Sequence, residues 1–247
     1  MIKFLDVVYD DQKIFINFID TLLSTLYTEI HTSSTNHVFV DIGASVGEIT
    51  NVMLKYVGNN GNIIAIDAHP NWLNEFTLVS NSFVKTHNIG CYSNKSILKF
   101  MCEDKLTGLG FIKISPSKQD LNFSKIKTNE IECDTLDNIL QLTNKQQVTF
   151  IKIDTEACDF EVILGASNII KQHRPFIVFE FSGTYMEIAH PHDRNDFFKF
   201  FKENKYILRS VCFGKNERDI SRLWDTFSSE LCDIIAIPIE YKGLIHE

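Results

Sequence analysis

The chain has 247 residues, 44% of them hydrophobic and 23% charged, which gives room for one large domain or two small ones. That much apolar surface offsets the entropy of ordering a backbone and excludes a disordered chain. A formal charge of −8, from 24 basic and 32 acidic residues, weighs against a protein that tracks the phosphate backbone of nucleic acid.

Residues 14–30 place Ile14, Phe15, Phe18, Ile19, Leu22, Leu23, Leu26, Tyr27 and Ile30 at helical spacing, which predicts an amphipathic helix. A polar stretch, 31–36, ends it. The short apolar run Val38-Phe39-Val40 reads as a strand stopped by Asp41, and a helix is expected over 46–56. After the turn Asn59-Asn60-Gly61 comes a fully apolar strand, 63–66, stopped by Asp67. Pro70 suits the first turn of a following helix. Alternating strands are expected over 96–102 and 126–133, joined by a Gly/Ser/Asn-rich stretch at 108–121, with a short helix over 136–142. The strand 148–153 again ends in an acid, Asp154. A helix over 160–171 leads through Pro175 to a strand at 176–179; a helix over 196–204 and strands at 206–213 and 234–239 complete the chain. Apolar strands alternating with helices predict an α/β fold, a doubly wound and mostly parallel sheet with helices on both faces.

No segment approaches the roughly 18 uninterrupted apolar residues of a membrane-spanning helix, and Met1-Ile2-Lys3-Phe4-Leu5-Asp6 lacks the marks of a secretory signal. Cys91, Cys102, Cys133, Cys158, Cys212 and Cys232 are scattered, with no Cys-x-x-Cys pair. They read as reduced thiols, mostly small core residues, of a cytoplasmic protein.

In an open α/β sheet, ligands bind beyond the carboxyl ends of the strands, where strand order reverses. Asp41, Asp67 and Asp154 stand at such ends, with Glu180 after the fifth strand. The loop Asp41-Ile42-Gly43-Ala44-Ser45-Val46-Gly47 supplies glycines for a sharp turn before a helix, without the Gly-x-Gly-x-x-Gly spacing of a dinucleotide fingerprint. Asp67, 24 positions after Gly43, stands where a carboxylate can accept both hydroxyls of a ribose. The plainer alternative is a strand-to-helix turn with a capping Asp.

Asp41-Ile42-Gly43-Ala44-x-x-Gly47 resembles the opening motif of S-adenosylmethionine-dependent methyltransferases of the Rossmann-like class, and the fuller pattern resembles the FkbM-type methyltransferases. The segments that carry it are 38–47, Ala65-Ile66-Asp67-Ala68-His69-Pro70, Asn88-Ile89-Gly90-Cys91-Tyr92-Ser93, Asp134-Thr135-Leu136-Asp137-Asn138-Ile139, Ile151-Lys152-Ile153-Asp154-Thr155-Glu156, the helix 160–166 and the strand 175–181. They span residues 38–181 in order.

The resemblance implies a seven-stranded sheet with its last strand antiparallel, formed by a single domain over 37–247 with a helical extension over 1–36 packed on it. It implies S-adenosylmethionine as cofactor. Asp41, Gly43, Ala44, Ser45 and Gly47 would cradle the methionine half, Asp67 would hold the ribose with Ala68 and His69 beside it, and Asn88 would border the adenine. Asp154 and Glu156 would line the place where donor meets acceptor, as catalytic candidates. The chain departs from the family pattern at Ser45, where Asn is usual, and at Ala157, where Gly is usual. If that glycine has positive φ in relatives, alanine costs about 1 kcal/mol there.

The function expected is methyl transfer to a hydroxyl of a small molecule or glycan. Alternatives are a cofactor-binding pseudo-enzyme, an RNA 2′-O methyltransferase using Asp154, Glu180 and Lys171, and, least favoured, a nicotinamide-dependent oxidoreductase. Asp154 and Glu156 share a short loop without a third ligand, so no metal is assigned. His190-Pro191-His192-Asp193 reads as a loop capping the next helix, with an acid/base role as the alternative. Phe197, Phe198, Phe200 and Phe201 read as core, and Trp224 as a packing residue. Choice of acceptor falls to 182–195, 214–229 and the N-terminal helix.

Overall fold

In α1 (Gln12–Ile30), Phe15, Phe18, Ile19, Leu22, Leu23 and Leu26 are buried while Lys13, Asn17, Thr21, Ser24 and Thr28 face water. The computed structural model describes residues 12–30, 36–59, 61–102, 110–112, 127–156, 158–181, 194–211 and 232–244. Ala157, His190-Pro191-His192-Asp193, Trp224 and Cys212 lie outside the described residues, as does most of 108–121.

The next elements are β1 (Asn36–Ile42), α2 (Glu48–Leu54), β2 (Asn62–Asp67), α3 (Trp72–Glu75), β3 (Val84–Asn88), β4 (Gly90–Cys91), β5 (Ser96–Cys102), β6 (Gly110–Ile112) and β7 (Lys127–Asp134). They are followed by α4 (Leu136–Ile139), β8 (Gln146–Ile153), α5 (Asp159–Gly165), α6 (Ser167–His173), β9 (Phe176–Phe181), α7 (Arg194–Glu203), β10 (Tyr206–Ser210), β11 (Cys232–Pro238) and a 3-10 turn, Ile239–Leu244.

Seven strands form the main sheet in the order β10-β11-β9-β8-β1-β2-β3. Pairs β9/β8, β8/β1, β1/β2 and β2/β3 are parallel, and β11 runs antiparallel to both β9 and β10. This is the doubly wound sheet expected from the alternation of apolar strands and helices. Its central strands are buried on both faces, which is why they read as continuous apolar runs rather than alternating ones. Val38, Val40 and Ile42 pack with α5, α6 and α7, while Phe39, Ile63 and Ala65 pack with α1 and α2. Strand order reverses between β8 and β1, so the loops after these two strands face one crevice.

The strands expected over 96–102 and 126–133 are present as β5 and β7. They belong to a separate four-stranded sheet, β4-β7-β5-β6, with its own small core of Phe100, Cys102, Ile131 and Cys133. Strand β3 gave no sequence signal because it is an edge strand with only Val84 buried. The helix expected over 160–171 is two helices broken at Ala166. The second is capped from outside, where Asp137 accepts the N–H groups of Asn168 and Ile169. Thr135 caps α4 through the Asn138 N–H, so the Asp134-Thr135-Leu136-Asp137 motif serves helix ends. Phe197 and Phe201 are buried against Phe179 and Phe181, the core role expected of them.

Cys91, Cys102, Cys133, Cys158 and Cys232 are buried thiols outside any disulfide. Among the described residues no helix is long and apolar enough to cross a membrane.

Candidate functional site

The loop after β1 turns through three left-handed residues, Gly43 (φ 71°), Ser45 (φ 48°) and Gly47 (φ 95°). Ser45 is the position where the family pattern has Asn, a residue that tolerates this region better than serine. Internal bonds hold the loop. The N–H groups of Gly43 and Ala44 both donate to the Ile66 carbonyl, at 2.9 and 3.1 Å. The Trp72 indole, fully buried, donates to the Ser45 carbonyl at 2.7 Å, and the Thr77 hydroxyl donates to that of Val46 at 2.9 Å.

The reason for glycine at 43 differs from close approach to a ligand. A Cβ built there would lie 1.8 Å from the backbone oxygen of Asp154, so the chain after β8 occupies that space. At Gly47 the Cβ would meet the Phe76 ring at 2.9 Å. Both glycines let the protein close on itself.

Asp67 joins the loop to the end of β2. Its carboxylate accepts the Ser45 N–H and the His69 N–H, each at 2.9 Å. Burial pushes its pKa up, against those two amides and the Lys152 charge. Each oxygen keeps a further lone pair for another donor. Asn88 clasps the same turn, its side-chain N–H groups donating to the Asp67 and His69 carbonyls at 2.8 and 2.9 Å. His69 is buried, accepts the Asn71 N–H at Nδ1 and packs edge-on against Phe100; Ala68 packs on the small sheet's core. Gly43, Ala44, Ser45, Gly47, Asp67 and Asn88 therefore share one turn, with His69 and Ala68 directed into the protein beneath it.

Asp41 lies deeper. Its carboxylate is fully buried, with Oδ2 accepting the Thr50 hydroxyl at 2.5 Å and Oδ1 lying 3.5 Å from the Lys152 ammonium. Lys152 is the functional candidate that sequence reasoning passed over. It stands in β8 as Cα partner of Asp41, is 3% exposed, and donates to the Gly43 carbonyl at 2.8 Å. Its Nζ also lies 3.4 Å from Asp154 Oδ2. Burial pulls its pKa down, but Asp154, Asp41 and Asp67 together hold it above the ordinary lysine value. A charge inside the run Phe150-Ile151-Lys152-Ile153 was the available signal, since an isolated buried ammonium is too costly to persist without partners.

The other side of the crevice is acidic. Glu156 has a left-handed backbone (φ 50°), one residue before the position where the family pattern has Gly. Glu180 and Asp233 are Cα partners across β9 and β11, and Asp154 follows the β8/β9 pair Ile153–Phe179, placing three carboxylates in one row. Like charges facing each other across strands are unfavourable. Burial and the neighbouring carboxylates push Glu156 up to about 7, Asp159 to about 8, Asp233 to about 8 and Glu180 to about 9, with Asp154 acting on all four. Asp159 and Asp233 had no sequence signal beyond being acids at element ends. Lys171 sits in the last turn of α6, before β9 begins, at the end of the sheet opposite Glu180. Among the described residues no three His, Cys, Asp or Glu side chains are gathered as metal ligands.

These raised pKa values fix the sign of a pH effect. The four carboxyls bind protons more tightly in the folded chain than at their ordinary values of 3.8 and 4.5. Their contribution to stability is complete below about pH 4, is lost progressively as pH rises above that, and is gone once pH has passed through their folded values of about 7 to 9. The melting temperature is expected to be several degrees higher at pH 5 than at pH 9, and calorimetric scans at the two pH values check this. A melting temperature that rises with pH would contradict it.

Residues 41–208 match the family model of the methyltransferase FkbM domain. Among solved structures, the chain resembles a methyltransferase FkbM from Methylobacillus flagellatus, with 15% identity and a TM-score of 0.48 over 93% of this chain and 56% of that one. It also resembles a precorrin-6y C5,15-methyltransferase from Geobacter metallireducens, with 12% identity and a TM-score of 0.41 over 87% and 88% of the two chains. The chain thus spans little more than half the length of the Methylobacillus protein. No curated protein matches it in sequence. The family match covers more than half of the chain and takes in the glycine loop, the β2 acid and the β8 acids together, and the chain belongs to the FkbM methyltransferase domain family.

Proposed function

We propose that the protein is an S-adenosylmethionine-dependent methyltransferase that methylates a hydroxyl of a small molecule or glycan. The observation that carries this reading is the tie between Asp67 and the glycine loop. One carboxylate at the end of β2 is fixed by the Ser45 and His69 N–H groups, with lone pairs left for the two hydroxyls of a ribose. The donor set fits the group. Asp67 would hold the ribose, the 43–47 turn would flank the methionine half, and Asn88 would keep the Asp67–His69 turn in place beside the adenine. Asp154 and Glu156 would offer negative charge to the ammonium and sulfonium.

When bound, S-adenosylmethionine supplies an electrophilic methyl group on a positively charged sulfur. The chain's own part is then to align an acceptor oxygen about 3 Å from that methyl and to remove its proton. Glu156, raised to about 7, suits the second task, because a base works best with a pKa near the working pH. Asp154, 3.4 Å from the Lys152 ammonium, is placed to orient and to balance charge. The −8 balance fits a small, uncharged or cationic acceptor better than a polyanion. We also read residues 37–247 as one domain, with 1–36 as an extension whose helix is packed on the sheet, and the protein as cytoplasmic.

S-adenosylmethionine or S-adenosylhomocysteine should raise the melting temperature, while NAD should leave it unchanged. If neither sulfur nucleoside shifts melting at concentrations well above micromolar, the cofactor assignment fails. Asp67→Ala should weaken binding by about 1.5–3 kcal/mol, the range for hydrogen bonds to a charged group, because it removes the ribose acceptor and frees the Ser45 amide. Isothermal calorimetry reads this directly, and unchanged affinity removes Asp67 from the site.

A further inference from the structure

We infer that Lys152 is a positioning residue that couples the cofactor loop to the acceptor-side carboxylate, so that one buried ammonium sets the place of both Gly43 and Asp154. The inference rests on the methyltransferase reading above and deepens it.

The geometry carries it. Lys152 Nζ has three protons, and its oxygen neighbours lie on two segments of chain: Asp41 Oδ1 at 3.5 Å, the Ile42 carbonyl at 3.5 Å and the Gly43 carbonyl at 2.8 Å on the first, and Asp154 Oδ2 at 3.4 Å on the second. The ammonium thus donates to the carbonyls of Gly43 and Ile42 and stands within ion-pair distance of a carboxylate on each side. It holds the loop after β1 and the loop after β8, which are the two sides of the crevice where strand order reverses. Two independent contacts bind the same loops together. The Asp154 N–H donates to the Ile42 carbonyl at 3.1 Å, and Gly43 lacks a Cβ where the Asp154 backbone oxygen sits. A shift of Gly43 thus pulls on Asp154 through the lysine, and a shift of Asp154 pulls on Gly43. Asp154 is the exposed member, its side chain 46% accessible, while Asp41 is fully inaccessible. Asp41 accordingly serves as the fixed counter-charge and Asp154 as the end that faces the crevice.

A purely structural ion pair predicts something different, and the two accounts separate in one experiment. Lys152→Met alone would leave Asp41 buried and unpaired, and this variant need not fold. The paired substitution Asp41→Asn with Lys152→Met removes both charges together. If the lysine positions the loops, the paired variant melts close to the unsubstituted protein yet binds S-adenosylmethionine at least about tenfold more weakly by calorimetry, as expected for a lost charge-assisted hydrogen bond. Recovery of both melting temperature and affinity would overturn the inference. A second measurement leaves the buried charges in place. With lysines labelled by nitrogen-15, Lys152 is the one buried ammonium among the described residues, and Lys152→Arg identifies its signal. That signal is expected to move on addition of S-adenosylmethionine and again in Asp154→Asn. A signal indifferent to both overturns the coupling even if the paired variant fails to fold. Absence of binding by the unsubstituted protein would sink the cofactor reading and this inference with it, whereas binding with an unmoved signal would sink this inference alone.

Discussion

Gly43→Ala is expected to lower the stability of the protein by about 2–5 kcal/mol and to abolish measurable binding of S-adenosylmethionine, the largest effect of any single methyl group added to the loop. Two costs combine. A non-glycine residue held in the left-handed region, here at φ 71°, costs about 1–2 kcal/mol. Overpacking a tight site costs about 1–3 kcal/mol more. The second cost falls on backbone rather than on a side chain that can swing away, because the added carbon would lie 1.8 Å from the Asp154 carbonyl oxygen. Asp154 cannot retreat freely, since its N–H donates to the Ile42 carbonyl and its carboxylate faces Lys152. Gly47→Ala provides the contrast. Its φ of 95° is also unfavourable, but its Cβ meets the edge of the Phe76 ring at 2.9 Å, a side chain rather than the backbone. Denaturant melts of the two variants should rank Gly43→Ala well below Gly47→Ala, and calorimetry with the cofactor should show binding retained only in the latter. A Gly43→Ala protein as stable as its parent would mean that the loops after β1 and β8 are not held as close as described.

Those two glycines also show what the sequence made legible. The alternation of apolar runs with helical periodicity was enough for the doubly wound sheet, because strands buried on both faces leave an unbroken apolar signature, as Ile63-Ile64-Ala65-Ile66 does. The acids at strand ends were legible for the same reason: Asp41, Asp67 and Asp154 each interrupt such a run. What each acid does was not. Asp41 and Asp67 look alike in sequence, yet one is sealed against Lys152 and Thr50 and the other binds the turn from beside the crevice. Depth along a strand depends on which loops cover its end, and no local pattern records that. Strand β3 escaped because an edge strand with one buried residue lacks both alternation and an apolar run. The break between α5 and α6 escaped because its cause, the Asp137 carboxylate capping Asn168 and Ile169, lies about thirty residues away in the chain. Glu180 facing Asp233 is a property of register between strands distant in sequence, so the acidic row could not be read before the sheet was assembled.

That row gives Glu156 its setting. Glu156→Gln is expected to reduce turnover on an accepted hydroxyl by about 10²–10⁴-fold, the range for loss of a general base, with a much smaller loss of S-adenosylmethionine affinity from the missing charge. Burial, with the Asp154 charge adding to it, raises the Glu156 carboxyl to about 7 against the opposing pull of Lys152. The ionised form is the one that takes the acceptor's proton. The rate kcat/KM for S-adenosylmethionine should therefore climb with pH toward a plateau above about 7, and this ascending limb should be lost in Glu156→Gln. A bound cation favours the ionised carboxylates, so the limb in kcat should lie at lower pH than the limb in kcat/KM. The same linkage can be tested before any acceptor is known. Near pH 7, binding of the cofactor should release protons from Glu156 and from the still higher Asp159, Asp233 and Glu180, which calorimetry in buffers of different ionisation heats measures. Proton release should shrink in Glu156→Gln. If binding instead takes up protons, or if the substitution changes neither the release nor the rate, then Glu156 does not face the bound sulfonium and the base must be sought among Asp154, Asp159 and Glu180.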